Sequence, residues 1–377
     1  MLKFRYLAVA VAFVAALAVV SPSYACTSMV VGAKASATGR PMLWKHRDTG
    51  TQHNFVQRTP ATDGHHAFVG LYNGGDSLLT EAWMGFNDAG FAIMNTASYN
   101  LAPDTAKYKD REGAVMRRAL QICSSVGDFQ ALLDTLARPM GIQANFGVLD
   151  NMGNGGYFEA NDSCYVFYDV NDSDNGYIVR TNFSVSGNDT DGMGYIRYDN
   201  ARHLLCGKAD AGKLTPEDFT EGASRSFYHS LLDRDFLADT SFHYAVDQDF
   251  IPRRSSAASV VVELPLPGDA PELTVMWTAL GYPAVSHVLP AFIDDVPEAL
   301  QPLQAGFRAE ACNEAIELKS KAFPITRGSG KHYVDLDFLR CEIPRQRQLS
   351  AGAYSSGRRD LALRAKNLKG KHNGRRR

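Results

Sequence analysis

The chain has 377 residues, 39 Lys and Arg against 41 Asp and Glu, a formal net charge of −2 and 45% hydrophobic residues. Such a balance excludes the strongly basic footprint of a nucleic-acid binder. With 20 Phe and 16 Tyr there is ample material for one large core, so the composition predicts a globular, enzyme-sized protein.

The first segment reads as a leader. Lys3 and Arg5 precede an apolar run over residues 7–20, and Ser23-Tyr24-Ala25 places small residues at the −3 and −1 positions of a signal-peptidase site. The run is shorter than the roughly 20 residues that span a bilayer. Ser23 also stands where a bacterial lipoprotein signal carries an aliphatic residue. The reading predicts a cleaved signal peptide over residues 1–25, a secreted or periplasmic product without stable membrane insertion, and Cys26 as its first residue. Two basic and no acidic residues leave with the leader, taking the net charge from −2 to −4.

Residues 26–35 and 39–48 alternate about a Thr38-Gly39 turn signal and predict a hairpin. Folding near residues 36–40 would bring positions 48–51 opposite Cys26. Residues 81–100 predict two strands about Asn87-Asp88-Ala89-Gly90. Residues 112–125 and 128–137 have helical spacing, the second with Asp128 as N-cap. Segments 145–161, 164–170 and 176–185 predict further strands, 193–207 and 215–234 helices, 257–264 and 272–279 strands, and 297–321 a long amphipathic stretch. Strand clusters flanked by helix pairs predict stacked sheets with helices outside, an α+β domain over 26–345. Nine Lys/Arg and one Asp fall between Arg358 and Arg377, so residues 346–377 read as a basic, partly disordered extension.

The six cysteines, Cys26, Cys123, Cys164, Cys206, Cys312 and Cys341, form no CxxC pair and no zinc spacing. Cys312 with Cys341 is a plausible disulfide in an oxidising compartment. His65-His66 reads as a loop pair, not a metal site.

An N-terminal cysteine has a specific chemical use. A free thiol has a pKa of about 8.5, and the α-amine on the same residue, with a pKa near 8, can act as its base. The pair can attack an amide carbonyl and form an acyl-enzyme. Helpers are then expected: a carboxylate for the amine, a nearby cation and donors for the oxyanion. Lys45, Arg47 and Asp48, at the end of the second hairpin strand, supply the first two. Lys45 and Arg47 alternate onto one face, with Asp48 out of phase unless the strand bulges or ends.

The segment "CTSMVVGAKASATGRPMLWKHRDT" resembles the amino terminus of the N-terminal-nucleophile (Ntn) hydrolases of the linear amide C–N hydrolase group. That group holds choloylglycine hydrolases, penicillin V acylases, the acyl-CoA:6-aminopenicillanate acyltransferase family and a related dipeptidase family. The resemblance implies a four-layer αββα sandwich, catalysis by Cys26 and no metal or organic cofactor. It assigns Asp48 to the amine and Lys45 to the position of a family arginine, a departure because lysine is a point charge and not a planar fork. Arg47 could take over part of that role. "GFNDAGFAIMNTASYN" resembles the segment before an oxyanion-hole residue, here Asn95, with Thr96 and Ala97 as neighbouring choices. "GYIVRTNFSVSG" implies a second site asparagine, Asn182, and "GASRSFYHSLL" implies a site arginine, Arg225. The substrate would be a small-molecule amide; hydrolase, acyltransferase and dipeptidase remain open, as does oligomeric state. Trp44, Trp83, Phe86, Tyr99, Phe183 and Trp277 could line an acyl pocket or pack a core. The competing class is a non-catalytic envelope lipoprotein or ligand-binding protein lipidated at Cys26.

Overall fold

A computed structural model describes residues 25–102, 109–303, 306–326 and 332–374; all but Ala25 of the expected leader lies outside them. The expected hairpin forms from β1 (Thr27–Val31) and β2 (Met42–Asp48). It pairs Thr27 with His46 and Ser28 with Lys45. Continuing that register sets Cys26 beside Arg47, not opposite 48–51 as the turn signal suggested. The connection is lopsided: a 3-10 turn at Ala33–Ala35 follows β1 directly, and Gly39 takes the left-handed φ of 72° late in the loop.

An antiparallel meander follows: β3 (Asn54–Thr59), β4 (Phe68–Asn73), β5 (Met84–Asn87), β6 (Ala92–Ala97), β7 (Ala144–Leu149), β8 (Gly155–Ala160) and β9 (Tyr165–Asp169). These seven strands pair in sequence order as one sheet. The other sheet has six strands. Its order runs from β10 (Tyr177–Arg180) through β1 and β2 to β11 (Ser256–Glu263), β12 (Val275–Leu280) and β13 (Leu289–Ala291).

Period-two alternation explains how the sheets stack. Val30 and Leu43 point from the six-stranded sheet into a core shared with Leu71, Met84 and Met94 of the seven-stranded sheet. That cluster continues through the second sheet to Met116 and Leu120 of α1 (Glu112–Ile122) and Phe129 and Leu133 of α2 (Val126–Thr135). On the opposite face of the six-stranded sheet, Met29, Val31, Met42 and Trp44 pack against Ala201 and Leu205 of α3 (Tyr195–Asp210). Tyr354 of a long carboxy-terminal helix joins them. The layers are therefore helix, sheet, sheet, helix, the αββα sandwich expected. Trp44 and Trp277 fill the sheet–helix core and Phe86 the sheet–sheet core, so none of the three lines a pocket.

Several local expectations are corrected. The N-cap of α2 is Ser125, whose side chain accepts from the Asp128 N–H while Asp128 reaches back, a capping box with Asp128 at N3. Residues 215–234 do not form one helix. They make a π turn at Asp218–Gly222, a 3-10 turn at Ala223–Arg225 and a short hairpin of Tyr228–His229 with Arg234–Asp235. Among the described residues of the amphipathic stretch 297–321, a 3-10 turn at Glu298–Leu300 precedes one α-helix, α4 (Glu310–Ala322). A third small core around Phe227, Phe250 and Tyr282 lies beside a three-stranded sheet built from Tyr244–Val246, Ile325–Thr326 and His332–Asp335.

The proposed boundary at 345 falls inside α5 (Leu336–Gly374). Its basic residues are not all solvated: Arg358 pairs with buried Glu263 at 2.7 Å and lies over the Trp277 ring. Apolar and aromatic docking positions spaced among the charges make a packed helix where composition alone suggested a frayed tail. All six cysteines are free; Cys312 is buried, accepting from the Asn54 N–H, and Cys341 is exposed, so they form no disulfide.

Candidate active site

Cys26 immediately precedes β1 and is buried at 6% exposure. Its backbone N–H donates to Asn182 Oδ1 at 2.8 Å. Asn182 follows β10, the strand paired to β1, which is why a residue 156 positions away in sequence arrives at this amide. The Asn182 side chain is itself fixed, its Nδ2 donating to the Ala97 carbonyl at 2.8 Å.

Arg197, on α3, completes this corner. Its Nη1 donates to the Cys26 carbonyl at 2.6 Å and Thr27 Oγ1 at 3.1 Å, and its Nη2 to Asn182 Oδ1 at 2.8 Å. Burial, with Arg253 nearby, lowers its pKa to about 10, still a cation at neutral pH. Gly194, before α3, has φ 82°, and a Cβ there would collide with the Arg197 guanidinium. Sequence reasoning missed Arg197 because one arginine inside a helical pattern reads as a solvated face.

Asp48 ends β2 on the helix-facing side, and its backbone carbonyl lies 3.9 Å from the Cys26 sulfur. Ser256 Oγ donates to its Oδ1 at 2.5 Å and Arg253 donates to its Oδ2. The phase problem is met on the neighbouring strand. A bulge in β11 between Ser256 and Ala258 lets Ser256 stand opposite Asp48 while Ala258 stands opposite Arg47. Arg253 also reaches the Ala25 carbonyl at 3.5 Å. Next to Asp48, His46 is held between Ser224 Oγ at 3.0 Å and Ser256 Oγ at 2.8 Å. Burial lowers its pKa to about 4, so it is neutral near pH 7.

Lys45 faces the second sheet. Its ammonium donates to Asn95 Oδ1 at 2.7 Å and the Trp83 carbonyl at 2.8 Å. Full burial is the largest influence on it and lowers its pKa to about 7, opposed by the charge of Cys26. Arg47 leans the other way along the same face, donating to Asn54 Oδ1 and, at 2.7 Å, Asn73 Oδ1, with its guanidinium 5.0 Å from the Trp83 ring centre. Lys45, not Arg47, is thus the residue bonded to Asn95.

Arg225 does not join this group. It is buried in the helix layer, donating to Glu221 Oε1 at 2.9 Å, the Ser286 carbonyl at 2.7 Å and Ser350 Oγ at 3.2 Å. Those bonds tie its turn to α5. The segment match failed because an arginine can serve a packed helix as readily as a site.

Cys26, Lys45, Asp48 and Asn95 open onto one pocket of about 970 Å³. Most of its other described lining residues carry polar groups, among them Arg47, Glu81 and Glu112 on one side and Asn100, Asn188 and Asp191 on another, yet more of its lining area is apolar than polar, with Trp83, Tyr99 and Leu101 the main apolar residues. The loop carrying Asn188 is pinned by Asn100, whose Nδ2 donates to the Ser184 and Asn188 carbonyls at 2.8 and 2.9 Å. Among the described residues no group of three His, Cys, Asp or Glu is placed to hold a metal ion, and no helix is long and apolar enough to cross a membrane.

Among solved structures, similar chains include a variant of the conjugated bile acid hydrolase of Clostridium perfringens, with 10% identity, 72% of this chain and 94% of that one covered, and a TM-score of 0.42. The Caenorhabditis elegans ortholog of N-acylethanolamine-hydrolyzing acid amidase gives 15%, 65%, 97% and 0.40 in the same order. Penicillin V acylase from Agrobacterium tumefaciens gives 11%, 72%, 87% and 0.38. No curated protein matches the sequence. The acyl-coenzyme A:6-aminopenicillanic acid acyl-transferase family matches residues 43–232, a span that starts after Cys26 and covers half of the chain. The chain belongs to that family.

Proposed function

We propose that the protein is a secreted amide hydrolase or acyltransferase whose nucleophile is the thiolate of Cys26, released as the N-terminal residue by cleavage after Ala25. One observation carries the reading: the Cys26 nitrogen is held by Asn182 at 2.8 Å while its side chain opens, with Lys45, Asp48 and Asn95, onto a single pocket.

Removing the residues before Cys26 turns an amide nitrogen, which cannot act as a base, into an amine that can. The thiol proton passes to that amine, the thiolate attacks the amide carbonyl, and a tetrahedral oxyanion forms. Lys45 supplies positive charge close to the sulfur. It also holds Asn95 by its Oδ1, so the Asn95 NH2 end, which donates to no described residue, is the donor offered to the oxyanion. The amine then passes its proton to the departing nitrogen, leaving a thioester on Cys26. Water releases the acid, or an acceptor amine takes the acyl group. Asp48, held by Ser256 and Arg253, fixes the side of the site opposite Lys45. The reading requires no metal or organic cofactor.

Intact mass of the purified mature protein tests this. The expected result is an unmodified N-terminal Cys26 that gains the mass of an acyl group on exposure to an amide substrate, and Cys26→Ala should gain none. A diacylglycerol adduct on Cys26 would establish the lipoprotein reading instead.

A further inference from the structure

Six buried side chains beside the nucleophile stand in a single file of hydrogen bonds. Trp44 Nε1 donates to Ser259 Oγ at 3.1 Å. Ser259 Oγ lies 2.7 Å from Ser224 Oγ, which lies 3.0 Å from His46 Nδ1. His46 Nε2 lies 2.8 Å from Ser256 Oγ, which is 2.5 Å from Asp48 Oδ1. Alternation builds the file: Trp44, His46 and Asp48 share one side of β2, with Ser259 opposite His46 on β11. Its two ends set its direction, because an indole N–H only donates and a carboxylate only accepts. Ser256 Oγ also accepts from the Arg253 N–H at 2.9 Å. With its one proton on Asp48, its remaining acceptor site takes a proton from His46 Nε2. From the other end, Ser259 accepts from Trp44 and donates to Ser224, which donates to His46 Nδ1. A second ring proton, on Nδ1, would turn Ser224 round and leave the Ser259 hydroxyl proton with no acceptor among the described residues. Burial acts in the same direction and keeps the ring neutral near pH 7.

Resting on the function proposed above, we infer that His46 is a positioning residue for the nucleophile. Held by Ser224 as the Nε2–H tautomer, it fixes the Ser256 hydroxyl in the orientation that donates to Asp48. The Asp48 carboxylate is thereby set beside Cys26, whose sulfur lies 3.9 Å from the Asp48 backbone carbonyl. Without the imidazole donor the Ser256 hydroxyl loses one of the bonds that fix its rotation, and the carboxylate loses a defined partner.

Two measurements on the processed protein test this. The first is independent of activity: nitrogen-15 spectra of labelled histidine near neutral pH, with His46 assigned by the signal missing from His46→Gln. The expected signal is a neutral imidazole with its proton on Nε2, since the surrounding donors and acceptors decide the tautomer. Ser224→Ala should shift its Nδ1 resonance. A proton on Nδ1, alone or with one on Nε2, overturns the inference. The second is the rate of Cys26 acylation by p-nitrophenyl acetate, an activated ester used as the probe, read as the nitrophenolate burst that Cys26→Ala lacks. Burst amplitude counts folded sites, so the rate constant does not depend on how much protein is folded. His46→Phe should slow the burst about tenfold, the scale of weakening one hydrogen bond to a charged group. In a Ser256→Ala background the same change should slow it less than about threefold, because the two residues act along one path. An unslowed His46→Phe, or equal slowing in both backgrounds, overturns the inference and leaves the Cys26 mechanism standing. No burst from the parent overturns the Cys26 reading, and with it any role of His46 at the nucleophile.

Discussion

Lys45 is where burial, charge and chemistry meet. Its pKa of about 7 means that raising the pH through neutrality removes the positive charge beside the sulfur. Activity that needs the ammonium is therefore complete below that value and falls above it. The kcat/KM profile should show an alkaline limb near pH 7, and Lys45→Arg should move the limb upward because a guanidinium stays protonated. Lys45→Met should lose about 10²-fold or more in kcat, the scale of removing one charge-stabilising group. Alkylation of Cys26 measured against pH separates the neighbouring cations: the Lys45→Met profile should shift upward and the Arg47→Met profile should not. His46 makes a different prediction. Its pKa is lowered to about 4 from an ordinary 6.5, so between those values the unfolded chain binds a proton that the folded one refuses. Stability should fall as pH drops through that window, and His46→Gln should flatten the fall in a series of urea titrations.

Helix α3 and the loop before it control the corner that holds the nucleophile. Gly194 allows Arg197 to reach both Cys26 and Asn182, through a left-handed φ and the absence of a Cβ. Gly194→Ala should cost about 1 kcal/mol or more in backbone strain and displace the guanidinium. It should therefore lower kcat more than the melting temperature alone accounts for. Helix α5 is held by a similar fit, since a Cβ at Gly357 would sit 2.7 Å from the Trp277 ring. Gly357→Ala should destabilise by about 1–3 kcal/mol through overpacking, read as a lower urea midpoint with kcat/KM of the folded fraction little changed. The contrast separates an element that positions the site from one that closes the core behind it.

For the whole molecule the decisive event is proposed to be the cut after Ala25. Ala25 is buried at 4% exposure and its carbonyl receives Arg253, so the residue before the nucleophile occupies the site. A chain blocked at the amino terminus of Cys26 should be folded and inactive. Release should give activity that Cys26→Ala abolishes and Cys26→Ser retains only weakly, because a hydroxyl ionises far less readily than a thiol. The architecture was legible early because local patterns are strong where alternation is strong. The β1–β2 hairpin, the β5–β6 pair and α1 are marked by period and turn residues within a few positions of one another. The segment 215–234 was misjudged because helical spacing there comes from residues that pack turns and a short hairpin against α3 and α5. The basic tail was misjudged because composition hides Tyr354 and Gly357, whose role exists only against Trp277.

The sequence by itself determined the nucleophile candidate at an expected cleavage seam, the charged end of β2 and the layered α+β class. These are encoded within short windows, where side-chain period and turn chemistry act directly, whereas Asn95 and Asn182 came from the resemblance to a known family. Tertiary structure alone decided which arginine stands at Cys26. Arg197 and Arg253 are distant in sequence from Cys26, and only the pairing of β10 with β1 and the bulge in β11 bring them to the site. It decided likewise that Lys45 and not Arg47 holds Asn95, because that choice depends on how one sheet is set over the other. No spacing along a single strand carries that distance.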